Sequence, residues 1–164
     1  MIYEKDEAYE VFKKALYIVM LYLTRMLAAD GEGASKFLEC SCIGAPDTMT
    51  AAQIAKSIVG SSLVKCLLYG EDADWGRIMC ALGYAQCEFD INKVKVNIES
   101  EHGKIVICTG NAIVQEFSEK EAAKLLSAKK IYINIDLCQG ASEAKAWGCN
   151  LTYDYVKING DYRS

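Results

Sequence analysis

Residues 93–99, KVKVNIE, alternate polar and apolar without a break, and KKIYINIDL at 129–137 does much the same with isoleucine. Successive side chains on a strand point to opposite faces, so both runs call for a sheet with a buried face. Between them lies SEKEAAKLL, where Ser118 and Glu121 form a capping box that opens a helix. Strands interrupted by a helix restrict the chain to an α/β fold, a mixed sheet packed against helices. HGK at 102–104 predicts a turn, IVICTG at 105–110 a partner strand, and NAIVQEF at 111–117 a continuation of the sheet. KFLECSCIGA predicts a strand from Lys36 to Ile43. LTYDYVKIN at 151–159, rich in tyrosine and β-branched residues, reads as another.

The helical signals lie mostly in the first half. ALYIVMLYL, Ala15 to Leu23, is the most apolar stretch, but its nine residues between Lys14 and Arg25 fall far short of the roughly 20 that span a bilayer. It predicts a buried helix from Asp6 to Ala28, with Tyr9, Phe12, Leu16, Val19 and Leu23 along one side. TAAQIAKSIVGS predicts a helix N-capped by Thr48 or Thr50. DADWGRIMCALGYA predicts a shorter one, capped by Asp74 and ended near Gly83. LVKCLLYG is too short for periodicity to decide between helix and strand.

A chain of 164 residues with one proline and no Ser/Gly-rich or charged linker reads as a single domain over residues 1–164. A net charge of -4, with no basic stripe, argues against nucleic acid as a partner. The start MIYEKDEAYE lacks the basic and apolar regions of a secretory signal, so the expected setting is cytoplasmic, with no membrane. There the eight cysteines stay reduced and act mainly as small apolar core residues. Cys40 and Cys42 share one face of a strand, a fragment of a metal site at most. No CxxC pair or other ligand spacing accompanies them, so no metal is expected.

Catalytic equipment is sparse. His102, the only histidine, lies in a turn and reads as solvated surface; no GxSxG, Walker A or dinucleotide fingerprint occurs. The informative loop is DGEGASKF at 30–37, which places Glu32 between Gly31 and Gly33. Glycines on both sides remove Cβ bulk and permit φ > 0. The carboxylate can therefore meet a ligand closely or simply occupy a solvated turn. Trp75, Gly76 and Arg77 read as helix packing and an internal ion pair, Lys65 as a site-facing residue or a salt bridge, and Trp147, Tyr153 and Tyr155 as sheet core and interface.

Three stretches, DGEGASKF (30–37), SSLVKCLLYGEDADWGRIMCALGYA (61–85) and AWGCNLTYDYVKINGDYRS (146–164), together resemble the C-terminal (β) chain of the glutamate N-acetyltransferase family, also called the ornithine acetyltransferase family, of cyclic arginine biosynthesis. The resemblance implies the C-terminal part of the ornithine acetyltransferase fold. It also implies an acyltransferase that moves acetyl from N2-acetylornithine to glutamate by a ping-pong route. The nucleophile would be an N-terminal threonine created by self-cleavage of a precursor into α and β chains. Its own α-amine, with an ordinary pKa of about 7.7–8.0, would serve as base. No cofactor is implied, although some members also use acetyl-CoA as donor. Partners would be the two small-molecule substrates and the α chain or N-terminal fragment, in an oligomer.

Carried over by motif, the family's binding glutamate falls on Glu32, and its asparagine and threonine in the closing NxDYRT fall on Asn159 and Ser164. Smaller departures are Ala29 for Arg, Ser35, Cys66 and Ser164. Asp74 stands where the family usually has Asn. The nucleophilic threonine would lie before Met1, and Thr24 falls in mid-helix, so this chain holds no catalytic residue of its own. The resemblance thus implies a subunit fragment that is inactive alone and active with a complementing segment. The alternative is a non-catalytic remnant or a binding and assembly module of the same family.

Overall fold

The computed structural model describes residues 4–110, 112–113 and 118–162. In chain order these form α1 (Glu7–Ala29), β1 (Phe37–Ala45), α2 (Thr48–Gly60), α3 (Ser62–Gly70), α4 (Trp75–Gly83), a 3-10 turn at Ile91–Lys93, β2 (Lys95–Ser100), β3 (Gly103–Thr109), β4 (Ala112–Ile113), α5 (Glu119–Leu126), β5 (Lys130–Asp136), β6 (Ser142–Cys149) and α6 (Tyr153–Asp161). The strands make one mixed sheet in the order β4-β3-β2-β5-β1-β6. Only β1 and β5 run parallel; the other neighbours are antiparallel. The expected mixed sheet with helices is therefore present, with α5 between β4 and β5 and its Ser118–Glu121 capping box formed.

Alternation decides which face of the sheet is dry. On one face Leu38, Cys40 and Cys42 of β1 lie beside Ile131, Ile133 and Ile135 of β5, then Val96 and Ile98 of β2, all essentially fully buried. Helices α2, α4 and α5 cover this face with Ile54, Ile58, Leu82, Leu125 and Leu126. Each such side chain removed from water stabilises the fold by about 1.5–3 kcal/mol before chain entropy is counted. The opposite face carries Glu39, Tyr132, Asn134, Asp136, Asn97, Lys145 and Trp147. Among the described helices, α1 lies against this face, touching β6 and β1.

Three sequence expectations need correction. Helix α1 forms where expected, with Asp6 as N-cap, but none of its residues is buried. Phe12, Leu16, Val19 and Leu23 are each about half exposed. Among the described elements the main contacts of α1 are with β6 and β1, so one side of the helix meets the sheet and most of its apolar surface stays open. The N-cap of α2 is Asp47, not Thr48 or Thr50: its carboxylate accepts the Thr50 N–H at 2.8 Å and the Thr50 hydroxyl at 3.0 Å.

The segment read as a strand at 151–159 is instead helix α6. The Thr152 hydroxyl caps it by accepting the Tyr155 N–H, and no residue of α6 is buried, so its apolar alternation marks no sheet face. The last strand lies just upstream at Ser142–Cys149. There small residues (Ala144, Ala146, Gly148) turn toward α2 and Gly148 lies against Val59, a pattern too short of β-branched residues to read as a strand. LVKCLLYG is resolved as helix α3, with Ser61 as its N-cap.

Candidate functional site

The Glu32 loop is shaped at its two glycines. Ala34 N–H donates to Gly31 O at 2.9 Å, closing a tight turn, and Gly33 takes φ +66°, a left-handed conformation that glycine tolerates best. A Cβ on Gly33 would sit 2.7 Å from the Tyr155 backbone nitrogen, and one on Gly31 would strike the Cys149 sulfur. Bare backbone is therefore required where the loop meets the end of β6 and the start of α6.

Strand pairing brings those elements together. Phe37 of β1 faces Cys149 of β6, so the loop entering β1 and the connection leaving β6 emerge side by side. Asn150 N–H donates to Lys36 O at 3.1 Å, extending the ladder by one step. The Asn150 side chain then accepts the N–H groups of Ser35 and Lys36 at 2.9 and 3.0 Å and donates to the Ser35 hydroxyl at 2.9 Å. The Thr152 hydroxyl donates to Gly33 O at 2.6 Å.

The result is a contact between two of the residues singled out from sequence. Asn159, on the last turns of α6, donates through Nδ2 to Glu32 Oε2 at 2.6 Å, and the same nitrogen reaches Tyr155 O at 2.9 Å. Both side chains are exposed, and Glu32 Oε1 has no hydrogen-bond partner among the described residues. A carboxylate with one oxygen held by an amide and one open can take a cationic amine by a charge-assisted hydrogen bond. Ser164 lies outside the described residues. Among the described residues, no three His, Cys, Asp or Glu side chains gather as metal ligands.

The neighbouring residues mostly do structural work. Lys36, the residue after Ser35, is buried, and its ammonium meets Glu71 at 2.7 Å, Leu68 O at 3.0 Å and Leu126 O at 2.6 Å. It thereby neutralises the carbonyl-rich C-terminal ends of α3 and α5. Arg77 pairs with Asp74 at 3.1 Å and Asp72 at 3.7 Å, and Trp75 packs against the core, as their types suggested. Lys65 is half-buried and forms no ion pair among the described residues; its backbone carbonyl accepts the Leu151 N–H. Tyr153 is not sheet core but largely exposed, stacked edge-on against Tyr69 at 5.4 Å. His102 is exposed in the β2–β3 turn.

A second polar cluster went unnoticed in the sequence. Glu39 is buried on the α1 side of β1, where it accepts from Lys145 Nζ and Trp147 Nε1, both at 2.8 Å, with the Arg25 guanidinium at 3.3 Å. Burial alone would raise its pKa. The Lys145 and Trp147 hydrogen bonds and the charges of Lys145 and Arg25 outweigh that, holding the carboxyl below its ordinary value. The one acid within FLECSCIGA was the available signal. This cluster lines a groove of about 610 Å³ between α1 and the sheet. On the helical side, burial pushes the Cys42 thiol up to about 12 and raises Cys40 well above its ordinary value, so both are inert core thiols. Cys66, Cys80 and Cys138 are exposed, against the core role expected of the cysteines.

A model of the ArgJ family matches residues 2–164 of this chain. The arginine biosynthesis bifunctional protein ArgJ 1 of Clostridium acetobutylicum is 44% identical over 164 residues, covering 100% of this chain and 40% of the relative. ArgJ of Staphylococcus epidermidis is 46% identical over 161 residues, covering 98% and 39%. A crystal structure of ArgJ from Bacillus halodurans superposes with a TM-score of 0.88 at 41% identity, covering 98% of this chain and 74% of that one. The chain spans about two fifths of the length of the curated relatives it matches, in their C-terminal portion.

Proposed function

The chain belongs to the ArgJ family, and we propose that it carries the ornithine-binding part of an acetyltransferase of arginine biosynthesis. The observation that carries this reading is the Glu32–Asn159 contact, which joins two of the three substrate-binding residues implied by the motifs. In the proposed reaction the hydroxyl of an N-terminal threonine, supplied by the rest of the enzyme, attacks the acetyl carbonyl of N2-acetylornithine. The C–N bond breaks and ornithine leaves as its amine. The amine of glutamate then attacks the threonine ester, taking the acetyl group and freeing the hydroxyl.

This chain's part is to hold substrate. The side-chain amine of ornithine resembles that of lysine and is charged at neutral pH, with a pKa of about 10.4. Glu32 Oε1 receives it, while Asn159 keeps the carboxylate oriented and Ser164 supplies a hydroxyl. Oriented binding of this kind lowers the barrier by fixing the reacting carbonyl near its nucleophile.

The partner in this reading is the N-terminal portion found in the longer relatives, and the assembly is an oligomer in a reducing cytoplasm. One feature supports it: α1 offers an exposed apolar surface among the described residues, with Tyr17, Ile18, Tyr22 and Leu27 each more than 60% exposed. Among the described residues no single helix is long and apolar enough to cross a membrane, and α2 and α3 meet that criterion only as a pair bent by 53°.

An acetyl-transfer assay from N2-acetylornithine to glutamate tests the reading, run with the chain alone and with the N-terminal portion of a relative. Activity only in the mixture supports the acetyltransferase. Silence in both, with ornithine binding retained, supports a binding module of the same family. Absence of both activity and ornithine binding rejects the reading.

A further inference from the structure

Glu32 and Asn159 are exposed, on separate elements, and nothing in their own side chains obliges them to meet. Asn150 and Thr152, in the short connection from β6 to α6, are 3% and 5% exposed. We propose that these two are positioning residues that lock the 31–36 loop to the first turn of α6, and so hold the Glu32 carboxylate against Asn159 in the geometry that receives the substrate amine. The proposal rests on the reading of Glu32 as the amine-binding carboxylate.

Asn150 grips the C-terminal half of the loop. Its Oδ1 takes two consecutive backbone N–H groups, Ser35 and Lys36, its Nδ2 reaches the Ser35 hydroxyl, and its own N–H reaches Lys36 O. Four bonds from one buried residue leave residues 35–36 a single path into β1. Thr152 grips the other half with one oxygen used twice, donating to Gly33 O and accepting from Tyr155 N–H. The cap of α6 and the carbonyl beside Glu32 therefore move as one body.

Leverage makes that coupling matter. Asn159 is seven positions along α6 from the cap, roughly 10 Å at 1.5 Å per residue. A tilt of about 10° at the cap displaces Asn159 by nearly 2 Å, enough to break its bond to Glu32. The internal bond from Asn159 to Tyr155 O fixes the amide to the helix, so the side chain cannot follow the loop independently.

The test uses the full chain, with ornithine as probe and two readouts: calorimetric affinity and the side-chain amide resonance of Asn159 by NMR. Thr152→Val removes the hydroxyl and both of its hydrogen bonds at nearly constant shape and is expected to weaken ornithine binding about tenfold. It should also move the Asn159 amide signal toward its position in Glu32→Ala, where the contact is lost, whereas Thr152→Ser keeps both near wild type. Should Thr152→Val fail to fold, Asn150→Asp, which keeps an oxygen for the two N–H groups and loses the donation to Ser35, is expected to give the same shift with a severalfold loss. Wild-type affinity and an unmoved Asn159 signal in the folded variant, with Glu32→Gln weakened at least tenfold, overturns the positioning role alone. No ornithine binding by the wild type overturns the amine-binding role of Glu32, while the Asn159 signal still decides whether Thr152 holds the pair.

Discussion

Asn159 Nδ2 donates to Glu32 Oε2 at 2.6 Å across 127 positions of sequence, tying the turn before the first strand to the last helix. The contact satisfies one carboxylate oxygen from within the chain and presents the other outward. That division of labour suits recognition of an amine: the charge is pre-oriented, and binding does not have to order it.

Glu32→Gln keeps the shape and the Asn159 contact but removes the charge. It is expected to weaken ornithine binding at least tenfold, while stability changes by less than about 0.5 kcal/mol because the side chain is exposed. Calorimetry and urea denaturation of the same samples check both halves.

Gly33→Ala places a Cβ at φ +66° and 2.7 Å from the Tyr155 nitrogen. Left-handed strain alone costs about 1–2 kcal/mol, and the clash adds to it. Urea denaturation should show a loss of at least that size, and ornithine affinity should fall with it because α6 must move away from the loop.

Lys36→Met leaves two helix-end carbonyls and Glu71 without their shared donor inside a buried site. The expected loss is about 3 kcal/mol, read as a Tm lowered by roughly 6–12 °C. A Tm within 2 °C of wild type, about the shift from 1 kcal/mol or less, would contradict this account of the buried lysine.

Glu39 has a folded pKa below its unfolded value of about 4.3, so its contribution is complete above that pH and disappears as pH falls through the lower folded value. Glu39→Gln should cost about 1–2 kcal/mol at pH 7, modest because Lys145 and Arg25 are half exposed, and should flatten the loss of stability below pH 4.3. Urea midpoints from pH 3 to 7 measure both effects.

The exposed apolar side chains of α1 predict self-association of the isolated chain, as the surface there finds another copy when no other partner is present. Ile18→Glu combined with Leu23→Glu should yield a monomer in analytical ultracentrifugation. A wild-type chain that sediments as a monomer at high concentration would count against α1 as a contact surface.

Much of the architecture was legible because burial and local rules agreed. The alternation of KVKVNIE and KKIYINID, the Ser118 capping box and the Asp74 cap all state their structure within a few residues. The reading failed where local signal and tertiary environment diverged. Residues 151–159 carry strand-like composition, yet Thr152 nucleates a helix whose apolar side chains face outward. The strand that does pair with β1 is built of small residues whose value appears only against α2. Helix α1 looked like core because its composition is apolar, but burial needs a covering layer, and its main contacts among the described elements are with β1 and β6 on one side only.

The α/β class, the family resemblance, and Glu32 and Asn159 as residues of interest can all be read along the chain, since each rests on neighbouring residues or on a motif. Tertiary structure decided that Glu32 and Asn159 touch, that Asn150 and Thr152 hold them, and that Glu39 is buried among three donors. Those relations join residues more than a hundred positions apart, or place a charge on a particular face of the sheet. They follow from strand order and register, which no local pattern of residues encodes.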